Sequence, residues 1–427
     1  MSRFGMAAVA AIAVTAGAAF GEDVTLSVDK VQQRYPWNGM VDIDYTVTCP
    51  EGAAPLDAAN DILRFELIDE SVQPPKTNAV NTLSECPVPV AAGTHRIAWN
   101  AHADGVTCVS KDVKMRLSVT HYAERYMIVD LTKTDADGKY AVTYCDGQPA
   151  DGFSQPEYKT DKLVLRLIPP GSFIAGSPTS ERNHQNTEVQ HKVTITKPFY
   201  LGIFEITQAQ YRHVMGSAIP KTGNEGDERP MDNLSYNDLR GAANTTTHLY
   251  DWPWNSGVDT NGTIIGRMCL RTGLRFDLPT EAQWEYACRA GTTTPYNRGN
   301  PTPDKTSMIK ELKDLGRFKE NTDDKRGDSS YTTHTKVGSY EPNGWGLYDM
   351  HGNVKELCLD RFRGAVETLE QRVDPVGSYD DQYRAYRGGS HSDNEEACRA
   401  ARRQCIVPHS NDFGARLFCE LPSERGE

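Results

Sequence analysis

Five runs in the first third of the chain alternate apolar and polar residues with a period of two. They lie at residues 24–28, 41–47, 62–68, 95–99 and 113–119, with turn-rich stretches between them. Such alternation is typical of half-buried β-strands, and several short strands in succession predict an antiparallel sandwich. We therefore expect an all-β, immunoglobulin-like sandwich over residues 22–145, followed by a polar linker at 146–160.

Beyond the linker the regular signals become sparse and mixed. The clearest helix is predicted at residues 279–287, because Thr280 is a suitable N-cap and Gln283, three residues later, completes a capping box. A second helix is predicted at residues 207–214. These elements, separated by long loop-rich stretches, predict a second domain over residues 161–423.

The first residues have the features of a secretory signal peptide. Arg3 supplies a positive start, residues 6–19 are small and apolar, and small residues at positions 19 and 21 suit cleavage. The apolar run is shorter than the ~20 residues of a membrane-spanning helix, which disfavours the alternative of a membrane anchor. We therefore predict a signal peptide at residues 1–21 and a secreted, periplasmic or cell-surface protein that is not inserted in the membrane.

Composition limits the partners and sets an expectation for the cysteines. The 427 residues carry 58 Asp and Glu against 46 Lys and Arg, and the net charge of −12 disfavours nucleic acid and anionic lipid. Ten cysteines in an exported chain favour disulfides over free thiols. No two of them have Cys-x-x-Cys spacing, so a structural zinc site is the weaker interpretation.

Five ordered motifs in the second part of the chain resemble the sulfatase-modifying factor family, which includes the formylglycine-generating enzymes. The resemblance runs from about residue 162 to residue 421. The motifs are residues 168–177, residues 188–211 with Glu-Ile-Thr-Gln-Ala-Gln-Tyr, residues 278–287 (Leu-Pro-Thr-Glu-Ala-Gln-Trp-Glu-Tyr-Ala), residues 344–354, and residues 387–402 with Arg-Gly-Gly-Ser and Cys-Arg-Ala-Ala-Arg.

This resemblance implies an α+β, C-type-lectin-like FGE-sulfatase fold. Formylglycine-generating enzymes oxidise a cysteine of a sulfatase with copper and dioxygen, some relatives use non-haem iron, and others only bind. The family's copper is held by two cysteines between the Gly-Gly-Ser turn and the downstream arginine block, because soft thiolates suit cuprous copper. Here residues 391–397 contain no cysteine, and Asp393 and Glu395 fall near the lost thiols. Copper chemistry is therefore disfavoured.

Three residues remain as catalytic candidates: Ser390, His391 and Cys398. His391, with Asp393 nearby, is a candidate iron ligand or base, although a single loop histidine is more often neither. Cys398 is either a nucleophile or, as the resemblance implies, the partner of Cys288 in a structural disulfide. That bond would close a loop of roughly one hundred residues, worth about 4 to 5 kcal/mol in the chain-entropy account.

The resemblance also implies a structural calcium ion. Its ligands would be the side chains of Asp349 and Glu356 and the backbone carbonyls of Gly352 and Val354. Calcium takes oxygen donors, which carboxylates and a glycine-containing turn supply. The alternative is a solvated loop that binds no metal.

Two functional hypotheses follow. In the first, the domain is a calcium-stabilised scaffold with a groove for a peptide, an exported or surface protein, or a glycan. In the second, it is an oxidoreductase of the formylglycine-generating or non-haem iron type that acts on a cysteine or thiol substrate. The first is favoured by the lost cysteine pair, the export signal and the attached β domain, although fold alone does not fix function.

Overall fold

The structure is a computed structural model that resolves the chain into two compact units. One comprises residues 1–123 with 169–173 and 192–197, and the other comprises the remaining residues. Within the described residues, no helix is both long enough and apolar enough to cross a bilayer. The residues that the structure describes are 10–12, 14–15, 24–34, 40–51, 56, 61–69, 75–80, 90–101, 106, 113–121, 124–216, 224–241, 262–298, 304–321, 333–362, 372–376, 383–406 and 413–421.

The first unit contains two four-stranded sheets. Their strand orders are β1-β8-β5-β6 and β2-β3-β4-β7. Most neighbouring strands are antiparallel, whereas β1 runs parallel to β8. The strands are β1 Ala10–Ile12, β2 Val14–Thr15, β3 Thr25–Gln33, β4 Met40–Thr48, β5 Asp61–Asp69, β6 Lys76–Ala79, β7 Gly93–Asn100 and β8 Val113–His121.

One apolar core joins these two sheets. Tyr45 on β4 and Phe65 on β5 meet edge to face, with ring centroids 5.3 Å apart, and Trp99 on β7 is fully buried in the same cluster. Alternate residues of β4 are buried, which confirms the period-two pattern. The immunoglobulin-like assignment stays a prediction. So does the signal peptide, because most of residues 1–21 lie outside the described part of the chain.

The second unit is mixed α/β and contains the family motifs. Its α-helices within the described residues are α1 Glu157–Thr160, α2 Gln208–Met215, α3 Tyr236–Arg240, α4 Ile264–Thr272, α5 Glu281–Arg289 and α6 Lys305–Leu315. The strands after residue 124 are β9 Tyr126–Thr134, β10 Tyr140–Cys145, β11 Lys162–Ile168, β12 Gly171–Ala175, β13 His191–Ile195, β14 Phe199–Gly202, β15 Phe276–Asp277, β16 Glu356–Arg361, β17 Arg372–Val373, β18 Arg384–Arg387, β19 Gln404–Ile406 and β20 Phe418–Glu420.

The structure groups the residues just before the predicted boundary at residue 145 with the second unit, and the predicted domain bounds stay a prediction. β9 and β10 belong to a six-stranded sheet of order β10-β9-β11-β14-β20-β15, in which β9 pairs antiparallel with β11. The predicted linker also has structure, since it contains α1 and the buried side chain of Phe153. Alternation of apolar and polar residues indicates that a strand is half-buried, but it does not indicate which sheet the strand joins. For this reason the sequence of β9 and β10 resembled a continuation of the first domain.

Both predicted helices are confirmed. Helix α2 begins after Thr207 and α5 begins after Thr280, and in each a capping box joins the N-cap residue to the glutamine three positions later. The threonine oxygen accepts a backbone N–H from the first turn, and the glutamine side chain accepts the N–H of the threonine. The capping boxes fix where each helix starts, and α5 thereby directs Glu281, Trp284 and Glu285 into the interior.

Candidate functional site

Helix α5 carries two buried glutamates that are paired with arginines of α5 itself and of other elements. Arg387 at the end of β18 donates to Glu281 at 2.9 Å and to Glu285 at 3.1 Å. Arg289 donates to Glu285 at 2.8 Å, and Arg403 donates to Glu281 at 2.7 Å. Burial alone would raise the pKa of Glu281, but Arg403 and Arg387 hold it at about 2. Both glutamates are therefore charged and serve as internal counter-ions.

A second cluster of buried ion pairs surrounds Arg399. The Arg399 guanidinium, which is fully buried, donates to both carboxylate oxygens of Glu188 at 2.9 Å and to Glu181 at 2.6 Å. It also donates to the Asn183 carbonyl at 2.7 Å. Three family motifs are tied together in this way: the Glu188 segment, helix α5 and the arginine block after the Gly-Gly-Ser turn. These motif residues hold the fold, because their charged groups are engaged with one another inside the protein.

The predicted catalytic residues Ser390 and His391 lie together in the turn after β18. Ser390 is 4% exposed, and its hydroxyl donates to Asp393 at 2.7 Å, which stabilises the turn. The Nδ1 atom of His391 lies 3.1 Å from the Asn353 carbonyl, and burial lowers the pKa of His391. Ser390 has its carboxylate partner within the same turn rather than in a nucleophile–base arrangement with His391.

Cys398, the third candidate, is fully buried. Its sulfur packs beneath Gly389, where a Cβ atom would come within 2.7 Å of it, and Gly389 has a φ of +70° that suits glycine. Burial raises the pKa of the Cys398 thiol well above its usual value. A neutral, buried thiol is a poor nucleophile, so this environment disfavours the predicted catalytic role of Cys398, which stays a prediction.

The predicted disulfide between Cys288 and Cys398 is not present in the structure. All eight cysteines of the described residues are free thiols. The imidazole of His351 engages both cysteine residues: its Nδ1 atom lies 2.8 Å from the Cys398 carbonyl, and its Nε2 atom lies 3.7 Å from the Cys288 sulfur. His351 is itself fully buried, and burial lowers its pKa to about 4, so the imidazole is neutral.

Native-state thiol labelling checks this arrangement. We expect iodoacetamide to modify the half-buried Cys405 in the folded protein while Cys288 and Cys398 stay unmodified, because both are buried with raised pKa values. After unfolding without reductant, all three should be modified, as read by peptide mass spectrometry. If Cys288 and Cys398 resist labelling even when unfolded, they are joined and the original disulfide prediction is correct.

The sequence analysis missed a histidine next to His391. His334 is 1% exposed, its Nε2 atom lies 3.2 Å from Asp232, and its ring meets that of His391 edge to face at 5.8 Å. Its Nδ1 atom is buried without a hydrogen-bond partner among the described residues. Asp232 and His334 are 102 positions apart and form no local motif, so nothing in the sequence brings them together.

The predicted calcium turn offers one clear ligand atom. Asp349 has a φ of +59°, and its Oδ2 atom accepts the Gly338 N–H at 2.6 Å. Its Oδ1 atom is buried and has no hydrogen-bond partner within the described part of the chain. Burial, supplemented by the charge of Glu356, raises the pKa of Asp349 to about 6. An unpartnered buried oxygen of this kind suits a hard cation or a proton.

Glu356, the other predicted side-chain ligand, is already fully engaged. Arg416 donates to its two oxygens at 2.8 and 3.1 Å, and the Trp284 indole donates at 2.7 Å. Glu205, which is fully buried, lies on the other side of the turn and accepts the Val354 N–H at 3.1 Å. Burial, together with Asp349 and Glu356, raises the pKa of Glu205 well above its usual range. The predicted set therefore fits calcium through Asp349 but not through Glu356.

The residues present do not fit the copper site of the formylglycine-generating enzymes. The segment between Ser390 and Cys398 has no thiol, and within the described residues no group of three or more His, Cys, Asp or Glu is placed to hold a metal ion.

Comparisons with known proteins agree with the motifs. The family model of the FGE-sulfatase, or sulfatase-modifying factor enzyme 1-like, domain matches residues 150–420. A formylglycine-generating enzyme of Thermomonospora curvata is 35% identical over 155 residues, which is 33% of this chain and 48% of that enzyme. The chain thus spans about half the length of that relative. The formylglycine-generating enzyme of Mus musculus is 24% identical over 281 residues, covering 59% and 73% of the two chains.

The matches among solved structures include PvdO from Pseudomonas aeruginosa. It is 22% identical, with a TM-score of 0.47, and the match covers 61% of this chain and 95% of PvdO. The variable protein 1 of Treponema denticola is also 22% identical, with a TM-score of 0.44, and the match covers 61% and 96%. With a family model matching more than half of its length, this chain belongs to the FGE-sulfatase family of sulfatase-modifying factor enzyme 1-like domains.

Proposed function

We propose that this chain is an exported binding member of its family, a calcium-stabilised scaffold that presents a groove for a peptide or glycan. The observation that carries the proposal is the chemistry of the segment after Ser390. Copper-dependent cysteine oxidation needs a pair of thiolates, and residues 391–397 have carboxylates and no cysteine.

The surrounding sulfur atoms support the same conclusion. Cys398 and Cys288 are buried thiols with raised pKa values, so neither supplies a thiolate at neutral pH. Ser390 is hydrogen-bonded inside its own turn. The chain retains the internal ion pairs of the second unit. A stable scaffold needs these ion pairs, whereas copper-dependent oxidation needs thiolates.

Calcium is part of the proposal through Asp349. Its unpartnered buried oxygen is the kind of donor that calcium prefers, and the carbonyl groups of Gly352 and Val354 are the further donors that we propose. Binding of the ion would stabilise the turn and neutralise the repulsion between Asp349 and Glu205. Export is supported by the signal-like residues 1–21.

The experiment is a parallel assay for oxidation and metal content. We expect the purified chain, given copper, dioxygen and reductant, to leave a cysteine-bearing sulfatase peptide unchanged, as read with an aldehyde-reactive probe and mass spectrometry. A formylglycine-generating enzyme serves as the positive control. Metal analysis should find calcium rather than copper or iron. Aldehyde formation by this chain that disappears in His391→Ala would reject the binding proposal and restore the oxidoreductase alternative.

A further inference from the structure

Two histidines beside the Ser390 turn have no role in the proposed function. His334 precedes the Val-Gly-Ser segment at residues 337–339, and His391 follows Ser390 directly. Their imidazole rings meet edge to face with centroids 5.8 Å apart. His334 is buried, whereas His391 is half-buried, so a small ion would reach the pair from the side of His391.

Hydrogen bonds fix which nitrogen of each ring carries a proton. The Nε2 atom of His334 lies 3.2 Å from a carboxylate oxygen of Asp232, and the Nδ1 atom of His391 lies 3.1 Å from the Asn353 carbonyl. A carboxylate and a carbonyl only accept, so both of these nitrogens donate. Each neutral ring therefore has a lone pair on its other nitrogen, which is Nδ1 in His334 and Nε2 in His391. Burial lowers the pKa of His391, which keeps this ring neutral at neutral pH.

The lone pair of His334 has nothing to bind within the described part of the chain. Its Nδ1 atom is buried and has no hydrogen-bond partner there. The neighbouring ring of His391 offers a second lone pair rather than a donor, so the two rings do not satisfy each other. A buried acceptor without a partner is unfavourable, and an electron-pair acceptor placed between the rings would be stabilising.

The arrangement of the two rings suits a shared metal ion. A histidine that binds a metal usually donates its other N–H to a carboxylate or a backbone carbonyl, which orients the ring. Asp232 and Asn353 provide one such acceptor for each ring. Zinc lies about 2.0 to 2.1 Å from an imidazole nitrogen and so roughly 3.2 Å from the ring centroid, which places two rings on one ion about 5 to 6 Å apart. The observed separation of 5.8 Å falls in this range.

The donor set favours zinc over the other metals used in this family. Cuprous copper prefers thiolates, and non-haem iron takes a carboxylate together with two histidines, whereas Asp232 already accepts from His334. No third His, Cys, Asp or Glu of the described residues is placed to complete such a site. Zinc accepts imidazole donors and can hold water in an open position. Of the nearby charges, Asp232 favours a cation at His391 and Arg317 opposes it.

We propose that His334 and His391 bind one zinc ion through Nδ1 of His334 and Nε2 of His391, with water or an oxygen atom of a bound ligand in the remaining positions. Asp232 and Asn353 are positioning residues, because each orients one of the two rings. The site uses nitrogen donors and is distinct from the proposed calcium turn, which uses an oxygen atom of Asp349. It does not depend on the proposed function.

The test is a zinc titration of the full chain with calcium present and accessible thiols blocked by iodoacetamide, read by competition with a chromophoric chelator. We expect one zinc ion to bind per chain. Asp232→Asn should lower the affinity roughly 10- to 100-fold, because loss of the group that orients a metal-binding histidine has this effect. His391→Ala removes a ligand and should lower it at least as much. Zinc should also raise the melting temperature of the unmodified chain but not that of His391→Ala.

The matched control is His213→Ala. His213 on α2 pairs with Asp161 at the same distance of 3.2 Å but supplies neither proposed nitrogen, so this variant should bind zinc as the unmodified chain does. Because His391 is half-buried, its substitution tests the site even if His334→Ala unfolds. Equal zinc affinity in His391→Ala and the unmodified chain, an equal loss in His213→Ala, or no zinc binding at all each overturns the proposal. Failure of zinc binding leaves the proposed function standing, since the oxidation assay tests that separately.

Discussion

Replacing Arg399 by glutamine is expected to lower the free energy of unfolding by about 3 to 5 kcal/mol, because it leaves two buried glutamates without their main counter-ion. Arg399 is fully buried and is the donor to both Glu188 and Glu181. Thermal unfolding followed by circular dichroism should show a melting temperature lower by roughly 10 °C.

A double-mutant cycle identifies the cause of that loss. Glu188→Gln combined with Arg399→Gln should be less destabilising than the sum of the two single changes, because removing both charges avoids an isolated buried one. The exposed pair of Arg275 and Glu420 provides the control, and Arg275→Gln should change the free energy of unfolding by less than about 1 kcal/mol. Additive effects of the two buried substitutions would show that the network does not act as a unit.

Stability of the calcium-free protein is expected to fall as the pH rises from about 4 to about 6, and Asp349→Asn should remove this part of the dependence. The pKa of Asp349 is about 6 in the folded chain against 3.8 for a free side chain, so the folded state retains a proton that the unfolded state loses. The contribution of protonated Asp349 to the free energy of unfolding is therefore complete below about pH 4 and lost above about pH 6. A difference of two pKa units corresponds to about 3 kcal/mol.

Three neighbouring charged groups affect the ionisation of Asp349. Glu356 disfavours its ionisation, whereas Arg416 and Lys159 favour it. Glu205 has a raised pKa and contributes with the same sign, and because the charge of Asp349 is one cause of that shift, Asp349→Asn also reduces the contribution of Glu205. Asparagine tolerates the positive φ of this position, so the substitution keeps the backbone.

The measurement is denaturant unfolding of the unmodified chain and of Asp349→Asn at about pH 4.5, 5.5, 6.5 and 7.5, with a chelator present. The effect is the difference between their free energies of unfolding at each pH. Millimolar calcium at neutral pH should then raise the melting temperature of the unmodified chain and leave that of Asp349→Asn unchanged. A parallel pH dependence in the two proteins would reject the pKa argument. An equal response to calcium would remove Asp349 as a ligand.

Three of the five motifs by which the family is recognised supply, in this chain, residues of two buried groups of ion pairs. Glu281 and Glu285 of α5, Arg387 before the Gly-Gly-Ser turn and Arg399 after it contact one another or neighbouring charges across the core. A chain can keep all of these residues for stability while losing the two thiolates that copper needs. Family membership therefore specifies the scaffold more strictly than it specifies the reaction.

Local elements were predictable where a local interaction sets them. The starts of α2 and α5 follow from threonine and glutamine three residues apart, and the strands of the first unit follow from alternation. That β9 pairs with β11 could not be predicted, because the alternation of apolar and polar residues in β9 and β10 carries no information about their partner strands. Ser390, His391 and Cys398 are neighbours in the chain, but their burial and hydrogen bonds could not be predicted from that, and their catalytic role stays a prediction.

The sequence by itself determined the family, the capped helices, the alternating strands and the absence of a thiol pair between residues 390 and 398, because each of these depends on residue types at short spacing. The tertiary structure alone decided which charges meet. Arg399 and Glu188 are 211 positions apart, and His334 joins Asp232 across 102. Whether a buried side chain has its hydrogen bonds satisfied or has a raised pKa, as Asp349 does, depends on partners that only the folded chain brings within hydrogen-bonding distance.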